Sequence, residues 1–321
     1  MKHPFQSAFR LSPEALRLAV PVLALLALLG GVFWMRPNAA SYGGLNLLLN
    51  YAVPIALATL AQMMIMAVND LDLSMGSFVS FVACVTATYL NDAPLIGVLI
   101  LLASIAVYAL IGVVIYLRNL PSIVVTLGMS FVWAGLAVLI LPAPGGAAPE
   151  WVRALMTVKP PLMPMAIAAS ILIAGAAHMI VMRSSFGVLI RGVGGNERSV
   201  ARAGWSLVWA RAGAYAMAAV FAIAAGIALV GLATSADANI ALRYTLLSIA
   251  GVILGGGEFI GGRVSAIGAV IGALTLTLAG SFLSFMRISP DWQIGAQGMI
   301  LIAVLALRLA LNRVERRGRR A

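Results

Sequence analysis

The most informative feature of this sequence is how little charge it carries. Only 10% of its 321 residues are Asp, Glu, Lys or Arg, whereas 62% are hydrophobic and the mean hydropathy is +1.05. A soluble domain carries about 25% charged residues, so this chain has too few charges to cover a water-facing surface. A lipid-facing surface needs none, because acyl chains solvate apolar side chains. The composition excludes an ordinary soluble protein and predicts an all-α, polytopic bundle of transmembrane helices.

Cysteine and histidine are almost absent. Cys84 is the single cysteine and lies in an apolar run, so an internal disulfide is impossible and a small buried side chain is the simpler role. His3 and His178 are isolated. No group of His, Cys, Asp and Glu has the spacing of metal ligands, and no nucleophile has a histidine nearby. We therefore expect no catalytic residue, metal site or bound cofactor in this chain.

Ten apolar runs have roughly the length that crosses a bilayer as a helix, about 20 residues. The first is longer than the core of a signal peptide, so we interpret it as a retained helix. The third begins in a polar stretch, and the eighth is short and ends in glycines. We predict one transmembrane domain over 18–311, between a cytoplasmic segment at 1–17 and a basic cytoplasmic tail at 312–321. The runs cover residues 18–35, 45–68, 73–90, 95–117, 123–141, 165–182, 212–233, 246–257, 264–286 and 293–311.

The positions of lysine and arginine predict the orientation. The formal net charge is +11, but the basic residues are scattered between apolar runs, so we expect lipid rather than nucleic acid as the partner. If both termini are cytoplasmic, all but five of the 21 basic residues lie on the cytoplasmic side, in line with the positive-inside bias. The five exceptions are Arg36, Arg153, Lys159, Arg243 and Arg287.

Two long connections differ in composition. Residues 142–164 contain six prolines, so this segment cannot be helical throughout, and we expect an irregular external loop. Residues 183–211 contain five arginines and lie inside in the same topology. This second loop is long enough to hold a short helix at the membrane surface.

A polar stretch, Asn69-Asp70-Leu71-Asp72-Leu73-Ser74, separates the second and third apolar runs. Charge near the hydrocarbon is costly and by default faces a cavity or a protein partner. Asp72 or Ser74 could also cap the next helix by accepting a hydrogen bond from a free backbone N–H. Two interpretations stay open: a broken helix beside a translocation path, lined by Asn69, Asp70, Asp72 and Ser74, or a capped cytoplasmic turn.

A glycine-rich segment follows the eighth run. It lacks the Lys-Ser/Thr pair of a phosphate-binding loop, G-x-x-x-x-G-K-[ST], so it is no nucleotide site of that type. Glycines let membrane helices approach closely, and two of them have the small-xxx-small spacing of packed helices. We predict tight helix packing and a turn from Gly255, Gly256, Gly261, Gly262, Gly268 and Gly272.

The arginine-rich inside loop contains signals for a short helix. Asn196 is a plausible N-cap, and Gly204 is a normal stop residue. The loop is either a solvated segment that fixes topology by its charge or a docking helix for a cytosolic partner. The residues concerned are Gly195, Asn196, Glu197, Arg198, Ala201 and Gly204.

Taken in chain order, these stretches resemble the membrane permeases of ABC sugar importers of the ribose, xylose and galactose type, within the superfamily that also serves branched-chain amino acids. Each motif is weak alone, but their order and spacing together are specific. The matching stretches are Asp70-Leu71-Asp72-Leu73-Ser74-Met75-Gly76-Ser77, Pro121-Ser122-Ile123-Val124-Val125-Thr126-Leu127-Gly128, Val193-Gly194-Gly195-Asn196-Glu197 with Ala201 and Gly204, Leu254-Gly255-Gly256, Gly261-Gly262-Arg263, and Pro290-x-Trp292-Gln293.

The resemblance implies a ten-helix permease of the bacterial cytoplasmic membrane that works as a homodimer or heterodimer. The Gly195–Gly204 stretch would be a coupling helix seated in a cytosolic ATPase subunit. That subunit would bind ATP and Mg²⁺, and an extracytoplasmic binding protein would deliver the solute. The expected function is translocation of a small polar solute, with a monosaccharide as the expected cargo.

The sequence departs from the family pattern at three places. Asn69 and Asp70 replace paired glycines, Gly257-Glu258 replaces a pair that is usually small and uncharged, and Val264 replaces a glycine. The alternative function is a self-contained, ion-coupled carrier that uses Asp70, Asp72 or Glu258. No acidic residue lies in the middle of a predicted span, which favours the ABC permease. A membrane enzyme would need a convergent set of nucleophile, base or metal ligands that the sequence does not provide.

Overall fold

A computed structural model of the chain describes residues 13–259 and 261–289, together with isolated positions between 292 and 306. All the regular structure in this part is helical, apart from one antiparallel bridge between Gly145 and Ala236. The twelve α-helices are α1 Pro13–Met35, α2 Tyr42–Leu49, α3 Ala52–Met66, α4 Met75–Asp92, α5 Pro94–Leu117, α6 Ser122–Ile140, α7 Glu150–Thr157, α8 Met165–His178, α9 Ser185–Arg202, α10 Leu207–Ala233, α11 Tyr244–Leu254 and α12 Ala266–Phe285. A 3₁₀ turn covers Pro37–Ala40, and a π-helical turn, Met179–Arg183, extends α8.

The predicted all-α class is confirmed, and a helix covers the greater part of each of the first nine predicted spans. Among the described residues, five helices are long and apolar enough to cross a membrane, namely α5, α6, Met165–Arg183, α10 and α12. The bent pair α2–α3, whose two halves meet at 41°, makes six if it counts as one span. The full number of ten and the cytoplasmic termini stay predictions, because the tenth span, the tail at 312–321 and the first 12 residues lie largely or wholly outside the described residues.

The centre of the bundle is built on α10, which packs against α3, α4, α5, α7 and α9. Its inward face is rich in alanine, and Ala214, Ala218 and Ala222 are fully buried. Small side chains let membrane helices approach closely. Close packing matters there, because lipid provides no hydrophobic force between helices and van der Waals contact has to hold them together. Every residue of α3 is buried, whereas α5 and α6 keep large apolar side chains on the outside, such as Leu139 at 78% exposure.

Glycines bring α11 and α12 into backbone contact, as the sequence predicted for Gly255, Gly268 and Gly272. A Cβ added at Gly268 would lie 1.9 Å from the carbonyl oxygen of Gly255, and one added at Gly272 would lie 2.1 Å from that of Gly251. No side chain fits at these positions without separating the helices.

The other predicted packing glycines have different roles. Gly262 contacts α9, since an added Cβ would lie 2.2 Å from the Arg191 carbonyl oxygen. Gly256 and Gly261 each have φ +95°, so the turn between α11 and α12 needs them for their backbone conformation. The sequence predicted both a turn and packing, but did not separate the residues that do each.

The proline-rich segment 142–164 contains regular structure, so the expectation of an irregular loop is wrong for α7, Glu150–Thr157. Its prolines lie outside the helix, and Pro149 stands directly before its first residue, where a missing N–H costs nothing. Val152 and Met156, one helical turn apart, are buried. A Cβ added at Gly231 of α10 would lie 2.7 Å from the Val152 side chain and 2.8 Å from the Met156 side chain, so α7 packs closely on α10. The segment therefore forms a short amphipathic helix against the bundle.

Candidate functional site

The five matching stretches between residues 70 and 263 converge at one end of the bundle, around the connection between α3 and α4. We call this connection, Asn69–Ser74, the junction turn. The end of the bundle that holds it also holds the C-terminus of α5, the N-terminus of α6, α9 and the α11–α12 turn. We call it the basic end, because Arg118, Arg183, Arg191, Arg198, Arg202, Arg211 and Arg263 lie there.

Asp72 organises the start of α4. Its side chain is fully buried, and its Oδ1 accepts hydrogen bonds from the backbone N–H and the hydroxyl of Ser74, each at 2.6 Å. The Tyr108 hydroxyl of α5 donates to Oδ2 at 2.9 Å. Burial raises the pKa of the Asp72 carboxyl, and the hydrogen bonds from Ser74 and Tyr108 oppose that rise. Of the two capping candidates, Asp72 makes the bond, whereas Ser74 occupies the N-cap position without accepting one.

The first turn of α6 satisfies the backbone of the junction turn. The Leu71 N–H donates to the Ser122 hydroxyl at 3.1 Å, and the Leu73 N–H donates to the Thr126 hydroxyl at 3.0 Å. In the sequence, Ser122 and Thr126 belong to a stretch that matches the family pattern, but nothing there assigned a contact to either residue. The missed signal is a pair of hydroxyl residues one helical turn apart, on the helix face beside a stretch of free backbone donors.

Asn69 fastens the junction turn to two other segments. Its side-chain amide donates to the Gly194 carbonyl of α9 at 2.7 Å, and its side-chain oxygen accepts from the Gly261 N–H at 3.0 Å. Its φ is +63°, a conformation that asparagine tolerates better than most residues. Asn69 thus replaces a family glycine with a residue that keeps the backbone shape and adds two contacts.

Asp70, the second departure from the pattern, is paired with Arg211 of α10. One guanidinium nitrogen, Nη1, lies 2.6 Å from Asp70 Oδ2, and the other, Nη2, binds Glu197 of α9. The Tyr215 hydroxyl donates to Asp70 at 3.3 Å, and the guanidinium carbon lies 5.4 Å from the centre of the Tyr116 ring. Burial raises the pKa of Asp70, while the charge of Arg211 opposes that rise. Sequence reasoning counted Arg211 only as an inside basic residue and missed this role.

The two halves of α9 meet at Asn196, which has extended backbone with φ −160° and ψ 94°. Its side-chain oxygen accepts from the Ser199 N–H at 3.1 Å, the bond of an N-cap. The helix ends at Gly204, with φ +82°, where the Gly204 N–H bonds the Ala201 carbonyl and the Trp205 N–H bonds the Val200 carbonyl. This is a Schellman stop.

The predicted cap and stop residues are therefore at the ends of a real helical segment, Asn196–Gly204, which we call the short helix. The structure adds a preceding half from Ser185 that the sequence did not predict. Asn196, Arg198, Ala201 and Gly204 are exposed, whereas Glu197 turns inward to Arg211.

An apolar groove of about 640 Å³ lies between the two halves of α9. The indole of Trp205, 56% exposed, stands at one side of it. The groove is lined by Ser185, Val188, Leu189, Gly192, Gly195, Asn196, Ser199, Val200, Ala203 and Trp205.

Comparison with known proteins gives the family. The model of the family described as branched-chain amino acid transport system / permease component matches residues 44–305. The chain belongs to this permease family. It is a substrate-translocating membrane subunit of the ABC transporter class, in agreement with the resemblance found in the sequence.

Named relatives of this permease cover nearly all of it. The autoinducer 2 import system permease protein LsrC of Enterobacter sp. (strain 638) is 28% identical over 310 residues, which are 92% of this chain and 88% of the relative. The probable ABC transporter permease protein y4mJ of Sinorhizobium fredii is 26% identical over 300 residues, 90% and 89% of the two chains. No solved structure matches the permease.

Proposed function

We propose that this chain is the translocation subunit of an ATP-driven importer of a small polar solute, with a monosaccharide as the first candidate. A separate cytosolic ATPase subunit would bind ATP and Mg²⁺ and drive the cycle, and an extracytoplasmic binding protein would deliver the solute. The relatives support this proposal, since several are named as permeases of autoinducer 2 import systems and one as a probable ABC transporter permease.

The observation that carries the proposal is the short helix at the basic end. It is capped at both ends by its own residues, so its backbone groups are satisfied without help from the rest of the bundle. Its exposed residues, Asn196, Arg198, Ala201 and Gly204, face outward beside the apolar groove. A self-contained helix with one face toward the bundle and another toward solvent suits insertion into a partner subunit.

We propose that the basic end faces the cytoplasm and that the chain crosses the inner membrane ten times with both termini inside. The concentration of arginine at that end supports this orientation. The exposed apolar surfaces of α5 and α6 would then face lipid or a second permease, either a copy or a homologue, as in a dimer.

The direct test is uptake of radiolabelled sugars into proteoliposomes that hold the purified permease with its ATPase and binding protein. Uptake is expected only when the ATPase subunit and ATP are both present. Uptake that persists without the ATPase, and follows a proton or sodium gradient, would identify an ion-coupled carrier instead. The carboxylates on which such a carrier would depend are already engaged: Asp70 with Arg211, Asp72 with Ser74 and Tyr108, and Glu258 with Arg263.

Docking at the short helix has its own test. A Cβ on Gly204 would meet no atom within 4 Å, but its φ of +82° strains any side chain, so Gly204→Trp adds bulk toward the partner together with backbone strain. We expect Gly204→Trp and Arg198→Glu to reduce co-purification of the ATPase in mild detergent. Gly204→Asn is the matched control, because asparagine accepts the left-handed backbone with a smaller side chain. Full co-purification of both test variants would rule out docking at this helix.

A further inference from the structure

We propose that Arg211 is a positioning residue that transmits movement of the short helix to the junction turn. The inference rests on the proposed function, in which an ATPase moves the short helix. It assigns to one named side chain the mechanical link between the docking site and the membrane-embedded helices.

The geometry places Arg211 between two carboxylates from distant parts of the chain. Glu197 belongs to the short helix, and Asp70 belongs to the junction turn, 141 residues from Arg211 in sequence. The two carboxylates are bound by different nitrogens of one guanidinium group. Because that group is planar and its donors form a fixed fork, the two carboxylates are held at a fixed separation. A shift of Glu197 therefore pulls or releases Asp70.

Burial makes this link stronger than a surface ion pair. The side chains of Asp70 and Arg211 are only 9% and 12% exposed, and Glu197 is 38% exposed. Water and salt screen the charges of such a largely buried pair less than those of an exposed pair. The guanidinium also lies over the Tyr116 ring, with its carbon 5.4 Å from the ring centre, where the face of the ring attracts a cation.

The side-chain hydrogen bond from Asn69 to α9 lies on the other side of its bend, and Val200 of the short helix makes apolar contacts with the core. Asn69 binds Gly194, two residues before the break at Asn196, so that bond holds the first half of α9. Among the described residues, the bond from Glu197 to Arg211 is the side-chain hydrogen bond that joins residues 197–202 to another helix. The break at Asn196 separates the short helix from the first half, and Arg211 is the side chain that donates a hydrogen bond to it from α10.

The junction turn is a place where a small displacement has consequences. It carries Asp72, which sets the first turn of α4, and its backbone is bonded to α6 through Ser122 and Thr126. A pull on Asp70 thus acts on the starts of two membrane helices together. Asp70 stands where the family pattern has glycine, so the carboxylate end of this link is a feature of this sequence rather than of the pattern.

The test uses the full reconstituted transporter and measures ATP hydrolysis, solute uptake and their ratio. Asp70→Asn cuts the link at the turn, and Glu197→Gln cuts it at the short helix, each without changing side-chain size. We expect ATPase co-purification and ATP hydrolysis to persist while uptake falls about fivefold or more, the lower range of coupling between sites. The ratio of ATP consumed to solute carried rises accordingly.

The double variant separates a link from two independent effects. If Arg211 transmits the movement, then Asp70→Asn with Glu197→Gln has the same ratio as either single variant, because a link cut once has nothing further to lose. Multiplied losses in the double variant, or an unchanged ratio in both single variants, would overturn the inference. Glu258→Gln is the matched control, since it breaks the exposed ion pair with Arg263 at the same end and is expected to leave the ratio unchanged.

The outcome also separates this inference from the proposed function. A wild-type transporter that needs no ATP for uptake refutes the proposed function. A wild-type transporter driven by ATP, with an unaltered ratio in both single variants, refutes only the role of Arg211. Glu197→Gln is the variant expected to fold normally, because Glu197 is partly exposed and its replacement leaves the buried pair of Arg211 and Asp70 intact.

Discussion

The two ends of the bundle are held together by different kinds of contact. At the basic end, the junction turn is fixed by side chains: carboxylates, hydroxyls, an amide and a guanidinium. At the opposite end, segment 142–164 is fixed mainly by its backbone, with a side-chain hydrogen bond that the Tyr42 hydroxyl donates to the Pro160 carbonyl at 2.9 Å. The Gly145 and Ala236 backbones exchange two hydrogen bonds of 2.9 Å, and the Ala147 N–H bonds the Ala87 carbonyl at 2.9 Å. α7 adds apolar contacts to α10.

This difference determines what each end is sensitive to. A backbone hydrogen bond survives most substitutions of the side chain above it, provided that the new side chain fits. A hydrogen bond between side chains is lost when either residue changes, and its buried partner is then left unpaired. The basic end therefore depends on residue identity, whereas the opposite end depends on shape.

The largest effect is expected where identity and burial coincide, at Asp72. Asp72→Leu leaves the Ser74 N–H without its acceptor in a fully buried site, at about 1–3 kcal/mol. It also removes the Asp72 partner of the Tyr108 hydroxyl, which keeps Ser74 Oγ at 3.1 Å. We expect a strong fall in the thermal midpoint of the detergent-solubilised permease. Tyr108→Phe removes the donor with its hydroxyl and is the milder control. A midpoint equal to that of wild type would contradict the account of the junction turn.

Arg211→Met is expected to follow closely. It leaves the Asp70 carboxylate unpaired at 9% exposure, and breaking a buried ion pair by removing one partner costs about 3–5 kcal/mol. Water can solvate Glu197, the second partner of Arg211, because its side chain is 38% exposed. We therefore expect the loss of unfolding free energy to lie at the lower end of that range. Thermal unfolding measures it, with Arg263→Met as the exposed counterpart. Equal losses from the two variants would show that burial gives the first pair no special strength.

Gly146→Ala probes shape at the opposite end. Gly146 has φ +68°, and an added Cβ would lie 2.7 Å from the Ala87 carbonyl oxygen, so strain and overlap together cost about 1–3 kcal/mol. Gly135→Ala in α6 is the control, because nothing lies within 4 Å of its added Cβ. A tolerated Gly146→Ala would mean that segment 142–164 is held less tightly than its contacts indicate.

The smallest effect sharpens the contrast between the ends. Ala147→Ser keeps the backbone bond to Ala87 and adds an exposed hydroxyl, so we expect no measurable change in stability. Thr126→Val at the basic end has nearly the same size but removes the acceptor of the Leu73 N–H, which costs about 1–3 kcal/mol for a buried donor. Comparison of the two thermal midpoints checks whether identity matters at one end only.

The pH dependence of Asp72→Asn gives an independent check. A raised carboxyl pKa means that the folded protein holds the proton more tightly than the unfolded chain does. The contribution of Asp72 to stability is therefore most favourable at low pH and is lost as the pH rises through the raised pKa. We expect Asp72→Asn to gain on wild type as the pH rises. A stability difference that is constant across pH would contradict the desolvation of Asp72.

Sequence reasoning succeeded where a feature is local. The N-cap at Asn196, the stop at Gly204 and the small-residue spacing of Gly268 and Gly272 all depend on residues within a few positions of one another. The cap and the stop act through the backbone next to them, whereas the glycine spacing marks a helix face with room for another helix and does not identify that helix.

Contacts between distant segments were not predictable. Arg211 lies 141 residues from Asp70, and Thr126 lies 53 from the Leu73 N–H it accepts. The neighbours of Thr126 and Arg211 in sequence do not indicate these partners. The pairing follows from the way α6 and α10 each pack beside the junction turn. α7 was missed for the opposite reason: the six prolines around it dominated a window in which eight residues are helical.

The side of the membrane that carries the short helix decides whether a cytosolic ATPase can reach it. Cys84 is fully buried, so an introduced thiol can be read against an unreactive background. With Arg198→Cys, a membrane-impermeant maleimide is expected to label inside-out vesicles but not intact spheroplasts, and added ATPase subunit should protect the thiol. Labelling of intact spheroplasts would put the short helix beyond the reach of a cytosolic ATPase and would contradict the account.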